Sequence, residues 1–115
     1  MSSRTIVAAL LLAAGATSAS AQAVSDDVRC LVLSNLFAKA AKEEPARRLA
    51  TVSASFYLGR LDGRTDPRTL AAAIRAQPAQ VDPKTAGPMM NACAARVARA
   101  EQSMQSLARS LTPRK

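Results

Sequence analysis

The sequence predicts an all-α fold, a compact four-helix domain behind a cleaved leader, with one disulfide joining the first helix to the fourth. Three observations carry that expectation. Apolar residues recur at spacings of three and four, while β-branched residues are scattered singly among frequent alanines. Asp66-Pro67 has the form of a helix start, and a second Asp-Pro step, Asp82-Pro83, that of a single turn. The two cysteines, Cys30 and Cys93, stand near opposite ends of the helical pattern.

Residues 1–23 have the pattern of a secretory signal peptide. MSSR supplies a positive start, and the apolar run over 6–16 is far shorter than the roughly 20 residues a spanning helix needs. Ala19-Ser20-Ala21 and Ala21-Gln22-Ala23 offer cleavage after Ala21 or Ala23. No lipobox cysteine follows the run, so the expected location is periplasmic or secreted. Residues 24–115 then form one small domain, near the size at which a covalent staple helps.

The first helix is expected to open at Ser25 or Asp26, whose side chains can cap free N–H groups. Val28, Leu31, Val32, Leu36 and Ala40 make one face, widened by Cys30, Leu33, Phe37 and Ala41. It should end near Glu43 or Glu44, because Pro45 disfavours helical geometry in the residue before it. The second helix runs from Pro45 or Ala46 to about Asp62. Its rows are Leu49, Val52, Phe56 and, beside them, Ala50, Ser53, Tyr57, Leu61. Gly63 stands where a left-handed terminating glycine is expected.

Asp66 caps the third helix and Pro67 takes its first position, with Leu70, Ala73 and Ile74 facing inward and an end by Gln77. Asp82-Pro83 should give a single turn only, since Gly87-Pro88 follows closely, and the fourth helix is expected to start there. Met90, Cys93, Val97, Ala100, Met104, Leu107 and Leu111 form a seam for packing along another helix. TPRK at the end should fray.

In an oxidising compartment a single cysteine pair reads as a structural bridge. Cys30 and Cys93 would pin the first helix to the fourth around the short middle helices.

The densest run of special residues is FYLGRLDGRTDP, 56–67. Most of it has a structural reading: Phe56 in the core, Tyr57 half-buried, Gly63 a stop, Asp66-Pro67 a start. Asp62 has Arg60 and Arg64 as near neighbours, an exposed arrangement worth ~0–1 kcal/mol. Gly59 fits least, since glycine inside a helix costs about 1 kcal/mol relative to alanine. Either another backbone crosses closely there, or Tyr57, Gly59, Arg60 and Arg64 make a recognition surface.

The chain has no histidine, both cysteines are taken by the bridge, and no phosphate loop or metal-spaced cluster occurs, so no catalytic residue, metal or cofactor is expected. The acidic pairs Asp26-Asp27 and Glu43-Glu44 sit at inferred helix ends, where solvated charge is ordinary. Sixteen basic against eight acidic residues give a net charge of +8. Arg47, Arg48, Arg96, Arg99 and Arg109 are candidates for a basic face. Three aromatics are too few for a base-stacking platform, and export argues against a nucleic-acid partner.

On Cys30, Phe56, Tyr57, Gly59, Arg60, Asp62, Gly63 and the GPMMNAC run holding Met90 and Cys93, the chain resembles a group of uncharacterised small exported helical proteins of Gram-negative bacteria. That resemblance covers most of residues 24–115 and implies no activity. In size, helix content and an end-joining disulfide it is also similar to HdeA-type periplasmic acid-stress chaperones, and more loosely to helical immunity proteins, a likeness of architecture alone.

The expected function is non-catalytic protein interaction in the periplasm, as a stress chaperone or an inhibitor or immunity-like binder, by a monomer or homodimer. The alternative is a basic envelope component that binds anionic lipid or polysaccharide. An enzyme acting on a small anionic metabolite comes third.

Overall fold

The computed structural model describes residues 15–78 and 81–113, with side chains from residue 23 onward. Its elements are α1 (Gly15–Ala40), α2 (Glu44–Asp62), α3 (Pro67–Arg75) and α4 (Pro83–Leu111). No strand occurs among the described residues. Most of the expected signal peptide lies outside them, as do the side chains at its cleavage steps and the terminal Arg114 and Lys115.

α1 starts earlier than Ser25, because no proline or glycine interrupts the alanine-rich stretch between Gly15 and Ser25. In the uncleaved chain Asp26 and Asp27 are therefore interior residues of a helix, whereas cleavage after Ala21 or Ala23 would leave them in its first turns. It also stops earlier, at Ala40, with Ala41 N–H donating to Phe37 O at 2.9 Å. The three residues that follow make the bend, and Glu43 is extended so that Pro45 can occupy the first turn of α2.

α1 and α2 run antiparallel. The Ser34 and Ser53 hydroxyls hydrogen-bond at 2.7 Å where the two helices meet, and the Ser34 hydroxyl also donates to Met90 Sδ at 3.8 Å. The buried row of α2 is Ala50, Ser53, Tyr57 and Leu61, while Leu49 and Val52 are exposed and Phe56 is half-buried. This reverses the expected roles of the two aromatics: Tyr57 has no exposed surface. Its hydroxyl donates to Cys93 O at 2.6 Å, so the ring goes fully inside without leaving its polar atom unpartnered.

Gly63 is right-handed, at φ −86° and ψ −3°, and so is not the left-handed stop its position suggests. Arg64 and Thr65 N–H groups both donate to Leu61 O at 3.0 Å, which closes the helix without a positive φ. Asp66 then caps α3 as expected, accepting from Thr69 N–H at 2.9 Å. α3 packs on α1, with Leu70, Ala71 and Ala73 half-buried and Ile74 exposed instead of inward.

α4 is one helix of 29 residues that begins at Pro83, with Asp82 accepting from Lys84 N–H, and it runs through Gly87-Pro88. The proline removes one backbone donor, but the restriction it places on the preceding residue arises largely from that residue's Cβ, and Gly87 has none.

The core gathers Cys30 and Leu33 of α1, Ala50 and Tyr57 of α2, and Met90, Cys93 and Val97 of α4. The disulfide Cys30–Cys93 lies within it, with the two Cα atoms 5.6 Å apart. The α4 seam packs only as far as Val97 and Ala100. Every residue from Glu101 to Pro113 is exposed, so the helix outruns the domain that its first half builds.

Candidate functional site

Three arginines converge on one carboxylate. Asp27 of α1 is completely buried, and arginines from α2, from the turn after α2 and from α4 reach it. Arg60 Nε donates to Oδ2 at 3.0 Å, Arg64 Nη1 donates to the same oxygen at 2.6 Å, and Arg96 Nη2 donates to Oδ1 at 2.7 Å. Arg60 sits in the last turn of α2, and the turn that closes the helix after Asp62 brings Arg64 to the same side. Two of the guanidinium groups are also held by aromatic faces, Arg60 5.7 Å from the Phe56 ring centre and Arg96 5.2 Å from that of Tyr57.

Burial alone would push the Asp27 carboxyl up, but the hydrogen bonds from Arg96, Arg60 and Arg64 together outweigh it and hold its pKa below the ordinary 3.8. Asp27 is therefore ionised at neutral pH. Inaccessible and reluctant to take a proton, it is a poor general base. Burial raises the Tyr57 pKa, with the Arg96 charge opposing, so its hydroxyl stays protonated and donating.

The outer edges of the arginines are another matter. Their side chains are 41%, 33% and 31% exposed for Arg60, Arg64 and Arg96. Each guanidinium has five N–H donors, and Asp27 accepts one bond from each. Three positive charges thus surround one negative charge, with donors left over that face water.

Of the residues singled out from sequence, Arg60 and Arg64 belong to this cluster, and Arg96 joins them instead of the proposed basic face. Tyr57 lies beneath it, not on a surface. Gly59 is exposed, and a Cβ placed on it would meet nothing within 4 Å, which removes close helix packing as the reason for glycine there. Arg47 is occupied by Glu44 at 3.1 Å and by Lys42 O at 3.2 Å. Arg48 is about 18 Å from Arg60 along α2. Arg99 and Arg109 are exposed on α4, the latter donating to Ser106 Oγ at 3.3 Å.

Asp27 is the residue that reading the sequence locally misses. Its partners are 33, 37 and 69 residues away. A signal existed nonetheless. In two antiparallel helices joined by a disulfide, the residue one turn before one cysteine lies beside the residue one turn after the other. Asp27 precedes Cys30 by three, and Arg96 follows Cys93 by three.

A second surface is formed where α2 and α4 diverge: Val52, Phe56, Val97, Ala100 and Met104 line a groove open to solvent. Beyond it the stripe continues on α4 alone, with Met104 65%, Leu107 53% and Leu111 73% exposed. No group of three acidic, cysteine or histidine side chains that could hold a metal ion occurs among the described residues. No described helix is long and apolar enough to cross a membrane, and the disulfide is consistent with an oxidising compartment. Comparison of the chain with family models, curated proteins and solved structures finds no match.

Proposed function

We propose that the chain is an exported, non-catalytic protein of the periplasm that binds another protein along the uncovered face of α4. The observation that carries this reading is the continuity of one stripe. The register that packs Met90, Cys93 and Val97 into the core goes on to Met104, Leu107 and Leu111, which are exposed. Apolar residues at alternating spacings of three and four fit an amphipathic helix laid alongside.

The occupant we assign is an amphipathic helix of a partner protein with an acidic polar face. The chain carries +8 overall, so an acidic helix is attracted where a second, equally basic copy is repelled. Export rests on the charged start, the short apolar run and the small-residue cleavage steps, and the likeness to small exported helical proteins belongs to the same reading.

A photo-crosslinking side chain at position 107, used in the native cell envelope at pH 7 and pH 3, tests the proposal. One protein crosslinked through an acidic helix at both pH values means an inhibitor or immunity-like role. Many proteins, captured only at pH 3, mean a stress chaperone triggered through carboxylates, since the chain has no histidine to serve. Crosslinks to a second copy, to lipid, or to nothing overturn it.

A further inference from the structure

We propose that Arg60, Arg64 and Arg96 form a binding site for a phosphate group, with Asp27 as the buried counter-charge on which it is built. The site lies apart from the α4 stripe and stands or falls independently of the protein-binding reading.

The starting point is an imbalance. A carboxylate can be neutralised by one guanidinium, yet three converge on Asp27. Their mutual repulsion is unfavourable, and the adjacent acid in the chain, Asp26, is paired with Arg29 at 3.8 Å. The cluster is left with two positive charges. A phosphate monoester carries close to two negative charges at neutral pH and presents three terminal oxygens. Charge and oxygen count both match, whereas a carboxylate ligand would leave one arginine unanswered.

Preorganisation is the second part. Asp27 holds all three guanidinium groups by their inner edges, and the Phe56 and Tyr57 rings fix two of the planes. A ligand therefore meets donors already ordered, which lowers the entropy cost of binding. Guanidinium forks suit phosphate geometry in a way that lysines do not.

The phosphate could be free, on a small ester, or on a lipid headgroup, and the experiment separates these. The purified full chain is titrated calorimetrically with inorganic phosphate at pH 8 and constant ionic strength. Saturable binding is expected, at least about tenfold weaker in Arg64→Gln and within about twofold of wild type in Arg109→Gln, which loses the same charge elsewhere. Acetate should bind at least about tenfold more weakly than phosphate. Circular dichroism checks that each variant is folded; should Arg64→Gln unfold, Arg64→Lys keeps the charge while losing the fork, and weaker binding by this variant is then the expected result. Sedimentation with phosphatidic acid vesicles that phosphate reverses indicates a lipid headgroup, and phosphate binding without sedimentation indicates a soluble ester. No saturable heat, equal loss in Arg109→Gln, or acetate binding as tight as phosphate overturns the site.

Discussion

At the scale of the residue, Asp27 shows how a charge survives inside a small core. A carboxylate without accessible surface is costly unless its lone pairs are answered, and here three donors answer two oxygens. Removing that charge leaves three guanidinium groups facing one another. Asp27→Asn should cost about 3 kcal/mol in urea unfolding at pH 7, since breaking a buried pair typically costs 3–5 and these arginines recover some hydration. Asp26→Asn, one residue away with a side chain 44% exposed and only a long pair to Arg29, should stay within about 0.5 kcal/mol. The pH dependence follows from the sign of the shift. The folded pKa of Asp27 is lowered, so its contribution is complete above the unfolded value near 3.8 and is lost as pH falls through the folded one. The stability gap between wild type and Asp27→Asn should therefore be widest above pH 4 and shrink as the pH drops below it. A gap that stays constant down to pH 2 would mean that the carboxylate charge is not what the arginines hold. Gly59 makes the opposite case. With open space around it in mid-helix, Gly59→Ala should stabilise by about 0.5–1 kcal/mol in the same assay.

Among the elements, α4 is two helices in function. Its first half carries Cys93, Val97 and the carbonyl that receives the Tyr57 hydroxyl, and its last third touches almost nothing. Ending the chain after Ala100 should leave the thermal midpoint within a few degrees of wild type, because residues 101–113 are all exposed, and a fall of more than about 10 °C would show hidden packing. The same contrast marks what could be read in advance. Four helices, the Asp66 cap and the bridge were legible because capping and spacing are local, whereas Asp82, expected to open only a single turn, caps the whole of α4. Which row of α2 faces inward was not, since Leu49, Val52, Phe56 and Ala50, Ser53, Tyr57 repeat equally well. The choice falls to the small row because its serine and alanine let α1 approach, and to Tyr57 because α4 offers its hydroxyl an acceptor. Likewise Gly87-Pro88 looks like a break until one notes that glycine relieves the pre-proline clash.

For the molecule as a whole, the question is what keeps α4 on the α1/α2 pair. The attachment is concentrated around one point, where the disulfide, the Tyr57 hydroxyl and the Arg96–Asp27 pair lie within two turns of α4. The core behind it is small, so no large apolar surface takes over if that point fails. Cys30 and Cys93 are 63 residues apart, and closing a loop of that length removes denatured-state entropy worth about 4 kcal/mol in the chain-entropy treatment. That is a large share of the roughly 5–15 kcal/mol by which domains are stable at all. Replacing both cysteines with serine should therefore lower the unfolding free energy by about 3–4 kcal/mol and detach α4 more readily than it melts the α1/α2 pair. Hydrogen exchange would read this as loss of protection over residues 90–100 before residues 50–60. Because the bridge and Asp27 anchor the same crossing, combining Asp27→Asn with the double serine variant should cost less than the two losses added. Strict additivity, or simultaneous loss of protection in α2 and α4, would place the attachment of α4 in the apolar core instead of at this crossing.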